Sequence, residues 1–203
     1  MTNFMSSLGK RRLGKTLTFF LVALAYYLTS QFGLLFSTPP SNAGIVWPAA
    51  GLALVSVAFL GWPAIMGVFV GAFLTTVAIL PNEFSILLSA VNGFTSAGQA
   101  CLATWLIKRL TKGEPFFSEK VMIKALVIGG PIASLTSATL CLPMHYAVGQ
   151  LPAESFLNSW FFWWLGDSLG VMIFAPLILL YIGRGRYAWQ GKKLIIMGPV
   201  LFS

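Results

Sequence analysis

The sequence predicts an all-α fold, a polytopic membrane helix bundle with six complete transmembrane helices and the start of a seventh. Three observations predict it. Of the 203 residues, 57% are hydrophobic and only 9% charged, against about 25% charged in an ordinary soluble domain. The apolar runs are continuous and about twenty residues long, the length a helix needs to cross a bilayer, not the alternating ten-residue segments of a barrel. All 13 Lys and Arg fall into three clusters, residues 10–15, 108–124 and 184–193.

Taken in order, residues 1–15 form a basic segment and a single membrane domain follows over residues 16–203. The first span is expected at residues 16–36. Its apolar stretch exceeds the 7–15 residues of a signal-peptide core, so it is expected to stay in the mature chain. The second span, residues 44–60, begins IVWPAAG. Pro48 suits a first helical turn, where its missing N–H is no loss. From Pro48 to Gly61 is only about 21 Å of helix, short for a full crossing. The preceding STPPSNAGIV therefore has two readings: irregular backbone dipping into the outer leaflet, buried in protein or wetted, or a surface loop.

The third span covers residues 63–80, the fourth 84–107, the fifth 126–146 and the sixth 156–182. A seventh opens at Leu194 and stops at Ser203 without a polar tail, as expected of a fragment of a longer protein. Alternating the spans puts every basic cluster on one side. The opposite loops, residues 37–43, 81–83 and 147–155, hold no Lys or Arg. The positive-inside rule then places the N-terminus in the cytoplasm. The net charge of +8 is a membrane-flanking charge, not a nucleic-acid footprint.

Polar residues inside the spans follow helical faces. Ser89, Asn92, Ser96 and Gln99 recur at i, i+3, i+7 and i+10 in span four, and Ser134, Ser137, Cys141 and His145 share a face of span five. A lipid-facing amide left unpaired costs several kcal/mol, so both faces are expected to point inward, as interhelical glue or as a site. Gly67, Gly71 and Thr75 form a small-residue row on span three, and Gly166 with Gly170 another on span six. These rows speak for close packing.

Asp167 is the only aspartate and lies within WWLGDSLG. Counted from the outer end, it is about 17 Å deep, level with Ser96 and Ser137, in a midplane polar layer built by spans four, five and six. No Lys or Arg lies within a span to balance it. The carboxyl group is either protonated or held charged by hydroxyls, amides, water or a bound cation. It either pins three helices together or serves as a ligand, proton or conformational switch site; an intramembrane acid raises the functional reading without proving it. Trp163 and Trp164, four and three residues earlier, lie over it at helical spacing and either wall a pocket or simply pack. Cys101 and Cys141 differ in depth by roughly 15–20 Å, too far for a disulfide. The single His145 has no Cys or carboxylate partner for a metal; it is structural or interfacial, with pH sensing the alternative. No cofactor, metal or catalytic group is expected.

The order WPAAG (Trp47, Pro48, Gly51), then Asn92 and Gly93 in span four, then WWLGDSLG (Trp163, Trp164, Gly166, Asp167, Gly170) closing on Ala175 and Pro176 resembles the first type of bacterial membrane-associated sensor domain, the MASE family. The resemblance covers about residues 16–203. It implies a sensory module of about eight spans in the bacterial inner membrane, N-terminal to a histidine kinase or a cyclic-di-GMP enzyme, so that this chain lacks its last span and its output domain. It assigns no ligand. It marks Trp47, Pro48, Gly51, Asn92, Trp163, Trp164, Gly166 and Asp167 as structural or sensing determinants.

The expected function is thus a membrane sensory input module, its candidate polar core being Asp167, Trp163, Trp164, Asn92, Ser96, Gln99, Ser134 and Ser137. Its candidate structural motif is Trp47, Pro48, Gly51, Gly166 and Gly170. Expected partners are the bilayer, a cytoplasmic output domain in cis, and an unknown small ligand or membrane protein, with a homodimer left open. The alternative is a small transporter or proton-coupled permease using Asp167. Against it stand the absence of an inverted repeat and the single intramembrane charge. An enzyme would need converging catalytic groups, which the spacing does not supply.

Overall fold

A computed structural model describes residues 14–38, 43–80, 83–111 and 123–183. The seventh span opening at Leu194, the cluster at residues 184–193, most of the basic N-terminus and Pro39 to Asn42 lie outside the described residues. The chain forms α1 (Lys15–Leu34), β1 (Ser37–Thr38), β2 (Ala43–Gly44), α2 (Pro48–Leu60), α3 (Trp62–Ile79), α4 (Ser85–Leu110), a π-helical segment (Ala125–Ile132) running into α5 (Ala133–Ala147), a 3₁₀ turn (Ala153–Ser155) and α6 (Phe156–Gly183).

Among the described residues five stretches are long and apolar enough to cross a membrane: α1, α3, α4, the continuous Val127–Ala147 and α6 with the turn before it. The expected second span, residues 44–60, is not among them. Its helical part, α2, has 13 residues, about 20 Å at the helical rise, against a hydrocarbon core of about 30 Å. Nine of those 13 residues, from Pro48 to Val57, are buried, so α2 is wrapped by protein instead of matched to lipid. That is why it is apolar on every side. The outer helices show the opposite pattern. Leu17, Phe20, Leu21, Leu24 and Leu28 of α1 are exposed, a surface suited to lipid and hostile to water.

Two apolar clusters share α2. On one side Ala49, Ala53 and Val57 pack with Val22 and Tyr26 of α1, Val68 and Ala72 of α3, and Ala97 and Ala100 of α4. On the other, Ala50 and Leu54 pack with Ala103 and Ile107 of α4, Ile128 of the π-helical segment, Ala133 of α5, and Val171 and Ala175 of α6. Small residues let the backbones approach. A Cβ built on Gly71 would lie 2.7 Å from the Tyr26 Cβ and 2.8 Å from the Ala23 carbonyl oxygen, and one on Gly93 would lie 2.9 Å from the Phe69 carbonyl oxygen. The row expected on span three is therefore the α1–α3 seam.

The described part of the lead-in to α2 is paired and partly buried. Ser37 pairs with Gly44 and Thr38 with Ala43, antiparallel, and Ala43 and Gly44 are buried. This is the only strand pairing among the described residues. The tight turn between α2 and α3 is made at Gly61, where φ is +66°, a conformation that glycine adopts without cost.

Connectivity gives the bundle two ends. The β1–β2 pair, the close of α3, the start of α4, the close of α5 and the start of α6 share one, the hairpin end. The other is the basic end: Lys15, Lys108, Arg109 and Lys124 are all at helix ends there. Lys124 Nζ donates to the Leu110 carbonyl at 2.6 Å, and Arg109 sits 5.2 Å from the centre of the Trp105 ring. Glu83 and Glu154, both exposed, lie at the hairpin end.

Candidate functional site

The extended lead-in and α6 meet glycine to glycine. Trp47 N–H donates to the Gly166 carbonyl at 2.9 Å. A side chain at Gly166 would collide with the Gly44 carbonyl, and one at Gly170 with the Trp47 carbonyl. A Cβ on Gly51 would lie 2.6 Å from the Gly170 carbonyl oxygen, and one on Gly33 2.8 Å from the Trp47 ring. The two sequence motifs are thus halves of one joint, with Trp47 meeting α1 by its ring and α6 by its backbone. Pro48 opens α2 at its first position, beyond the hydrogen bond that Trp47 makes.

Asp167 follows this joint directly. Its residue exposure is 7%. Ser137 Oγ of α5 donates to Asp167 Oδ2 at 2.5 Å. Gln99 of α4 lies beside the same carboxyl group, and its Nε2 donates to Ser134 Oγ at 3.1 Å. Four residues on three helices, Asp167, Ser137, Gln99 and Ser134, are therefore brought together by α4, α5 and α6. Each hydrogen bond also offsets the cost of desolvating a polar atom, which in a buried position is about 1–3 kcal/mol.

Asn92 and Ser96 extend the layer toward α3. Asn92 Nδ2 donates to Thr76 Oγ1 at 2.6 Å, and Ser96 Oγ donates to Asn92 Oδ1 at 3.4 Å. Tyr26 of α1, 3% exposed, places its hydroxyl among Ser96, Trp47 and Asp167. Ser89 is buried on the same face of α4, and its hydroxyl has no partner among the described residues. Cys101 and Cys141 are free thiols.

The tryptophans divide. Trp164 points its Nε1 away from the carboxyl group and donates to the Pro131 carbonyl at 2.8 Å. Trp160 stacks on it at 6.3 Å and donates from Nε1 to Thr139 Oγ1 at 3.2 Å. The pair fastens α6 to the π-helical segment and α5. That segment owes its wide turn to Gly129, Gly130 and Pro131: the proline contributes no N–H, and the glycines admit Leu54 and Met172 at close range. Trp163 instead packs edge-to-face with His145, ring centres 5.9 Å apart.

Trp163 and His145 line a cavity with an empty volume of about 720 Å³ including its open mouth. Asp167 is at its wall, with Trp47, Thr75, Thr76 and Asn92, and Ile79, Leu80 and Gln150 at the hairpin end. A second, narrow space with room for about one water lies toward the core, lined by Tyr26, Gln99, Gly129 and Val171. Asp167 and Ser96 line both. Among the described residues no Lys or Arg lines either space.

Sequence reasoning did not place Tyr26, Thr75, Thr76, His145 or Gln150 at this cavity. Tyr26 and Ser30, both buried, carried the only available signal, an i, i+4 polar pair on α1. Thr75 counted only as a small residue.

A family model, MASE1, matches residues 17–194 of the chain. No curated protein matches it. No solved structure matches it either.

Proposed function

The chain belongs to the MASE1 family, a family of membrane sensor domains, and from that premise we propose that it is the sensory input module of a bacterial inner-membrane signalling protein. The N-terminus and the basic end face the cytoplasm, and the cavity opens to the opposite side. The short α2, with its extended lead-in, completes a sixth crossing, and a seventh begins beyond the described residues. A stimulus at the cavity shifts the packing of α4, α5 and α6 around Asp167. The last spans pass that change to a histidine kinase or a cyclic-di-GMP enzyme in cis.

The observation that carries this reading is the placement of one carboxyl group at the wall of a cavity where α4, α5 and α6 all meet it. Any ligand touching Asp167 acts on three helices through Ser137, Gln99 and the Gly166–Trp47 joint. A ligand shifts such a bundle only by its differential affinity for two arrangements, and a network whose bonds bridge helices supplies that difference. The test is Asp167→Asn in the full-length protein. The expected result is altered signalling with normal insertion and stability; unchanged output would remove Asp167 from the mechanism.

A second reading, a small permease, is favoured by the inner space that shares Asp167 and Ser96 with the outer cavity. Solute uptake into proteoliposomes, abolished by Asp167→Asn, would select it.

A further inference from the structure

The walls of the outer cavity have already used many of their protons. Thr75 Oγ1 donates to the Gly71 carbonyl at 2.9 Å and Thr76 Oγ1 to the Ala72 carbonyl at 3.1 Å, both within α3. Ser96 donates to Asn92 Oδ1, Asn92 Nδ2 to Thr76 Oγ1, and Ser137 to Asp167. Each hydroxyl keeps acceptor lone pairs after its single proton is committed. The cavity therefore offers oxygen acceptors on Thr75, Thr76 and Asp167. His145 adds a buried Nε2 with no partner among the described residues. The one formal charge on the lining is negative, and Trp47 and Trp163 supply aromatic wall.

We propose that this cavity binds a compact organic ammonium ion carrying N–H donors, a primary or secondary amine. Its charged head meets the Asp167 carboxylate and the threonine oxygens, and its hydrocarbon part lies against Trp47 and Trp163. This rests on the cavity being the input site and names the chemistry of its ligand. An anion is excluded by the carboxylate. A neutral molecule leaves the acid to keep its proton and gains no charge pairing, whereas an ammonium ion stabilises the ionised form in a water-poor site. A bare Ca²⁺ ion takes 6–8 oxygen ligands, and this lining is in large part Ala43, Ile79, Leu80 and tryptophan. A charge-assisted hydrogen bond to a carboxylate is among the stronger kinds.

The test titrates the purified full-length protein in nanodiscs, at fixed pH and ionic strength, with n-propylammonium, tetramethylammonium, propionate and 1-propanol, reading heat or tryptophan fluorescence. Saturable binding of n-propylammonium is expected, weaker for tetramethylammonium and undetected for the other two. Asp167→Asn should weaken it about tenfold or more, Trp163→Leu less, and Glu154→Gln, at an exposed acid, not at all. Should Asp167→Asn fail to fold, Thr76→Val removes one acceptor at near-constant volume and should also weaken binding. Equal binding of propionate, 1-propanol or tetramethylammonium would overturn the proposal, as would n-propylammonium binding indifferent to both substitutions. If the amine binds yet leaves signalling output unchanged, the site stands and the input role falls. If Asp167→Asn changes output while no ammonium binds, the input role stands and the ligand class falls.

Discussion

Trp47 N–H donates to the Gly166 carbonyl at 2.9 Å, so the extended chain before α2 is fastened to the residue that precedes Asp167. The joint is made of backbone, and glycine is what permits it. Side chains at Gly166 and Gly170 would run into the Gly44 and Trp47 carbonyls, atoms that cannot swing aside as a flexible side chain can. Movement of the lead-in and movement of the carboxyl group are therefore coupled through a single hydrogen bond and two glycines.

Gly166→Ala and Gly170→Ala should each lower stability by about 1–3 kcal/mol or more, the usual range for overpacking. Gly98→Ala is the control. A Cβ there meets nothing within 4 Å, and alanine is favoured over glycine in a helix by about 1 kcal/mol. Thermal unfolding in detergent separates them. Equal melting temperatures for Gly98→Ala and Gly170→Ala would mean that α6 and Trp47 are not in contact.

Ser137→Ala takes away the donor to Asp167 and should cost about 1–3 kcal/mol, because the carboxyl group keeps its burial and loses a partner. The cost should shrink when Asp167 is already alanine, since the serine then has no acid to serve. A double-mutant cycle on thermal stability measures this coupling. Strictly additive effects would show that the two side chains do not interact.

Trp163 and Trp164 are adjacent in sequence and should behave oppositely. Trp164→Phe loses the bond to the Pro131 carbonyl and should cost about 1 kcal/mol of stability with amine binding intact. Trp163→Leu should weaken amine binding, with a smaller effect on the bond network because Trp164 holds the π-helical segment. Melting temperature and binding isotherm, measured on both variants, check the division. A reversed pattern would put the wrong indole in the cavity.

The faces of α4 and α5 were legible because a 3.6-residue period survives in the sequence wherever one side of a helix must be polar and the other apolar. Ser89, Asn92, Ser96 and Gln99 could be placed on one stripe without coordinates. The Trp47–Gly166 joint could not, because backbone contacts leave only small residues behind, and Gly166 and Gly170 look the same whether they admit a helix or an extended strand. The burial of α2 was equally hidden: a short apolar run fits a clipped crossing and a wrapped core helix alike. The π-helical segment has its cause in Gly129, Gly130 and Pro131, a combination that predicts a break in a helix but not its geometry. Tyr26, Thr75 and Thr76 joined the cavity through tertiary contact alone.

Among the described residues Lys15, Lys108, Arg109 and Lys124 are at one end of the bundle and Glu83 and Glu154 at the other. Insertion leaves positively charged short loops in the cytoplasm, so the cavity, whose lining reaches the hairpin end at Ile79, Leu80 and Gln150, should face outward. Cysteines introduced at Glu83 and Glu154 should react with a membrane-impermeant maleimide on intact spheroplasts, and cysteines at Lys108 or Arg109 only after permeabilisation. Cys141, 0% exposed, should stay silent in both, and Cys101→Ala clears the remaining background. The inverse labelling pattern would turn the cavity toward the cytoplasm, and an amine would then have to arrive from within the cell.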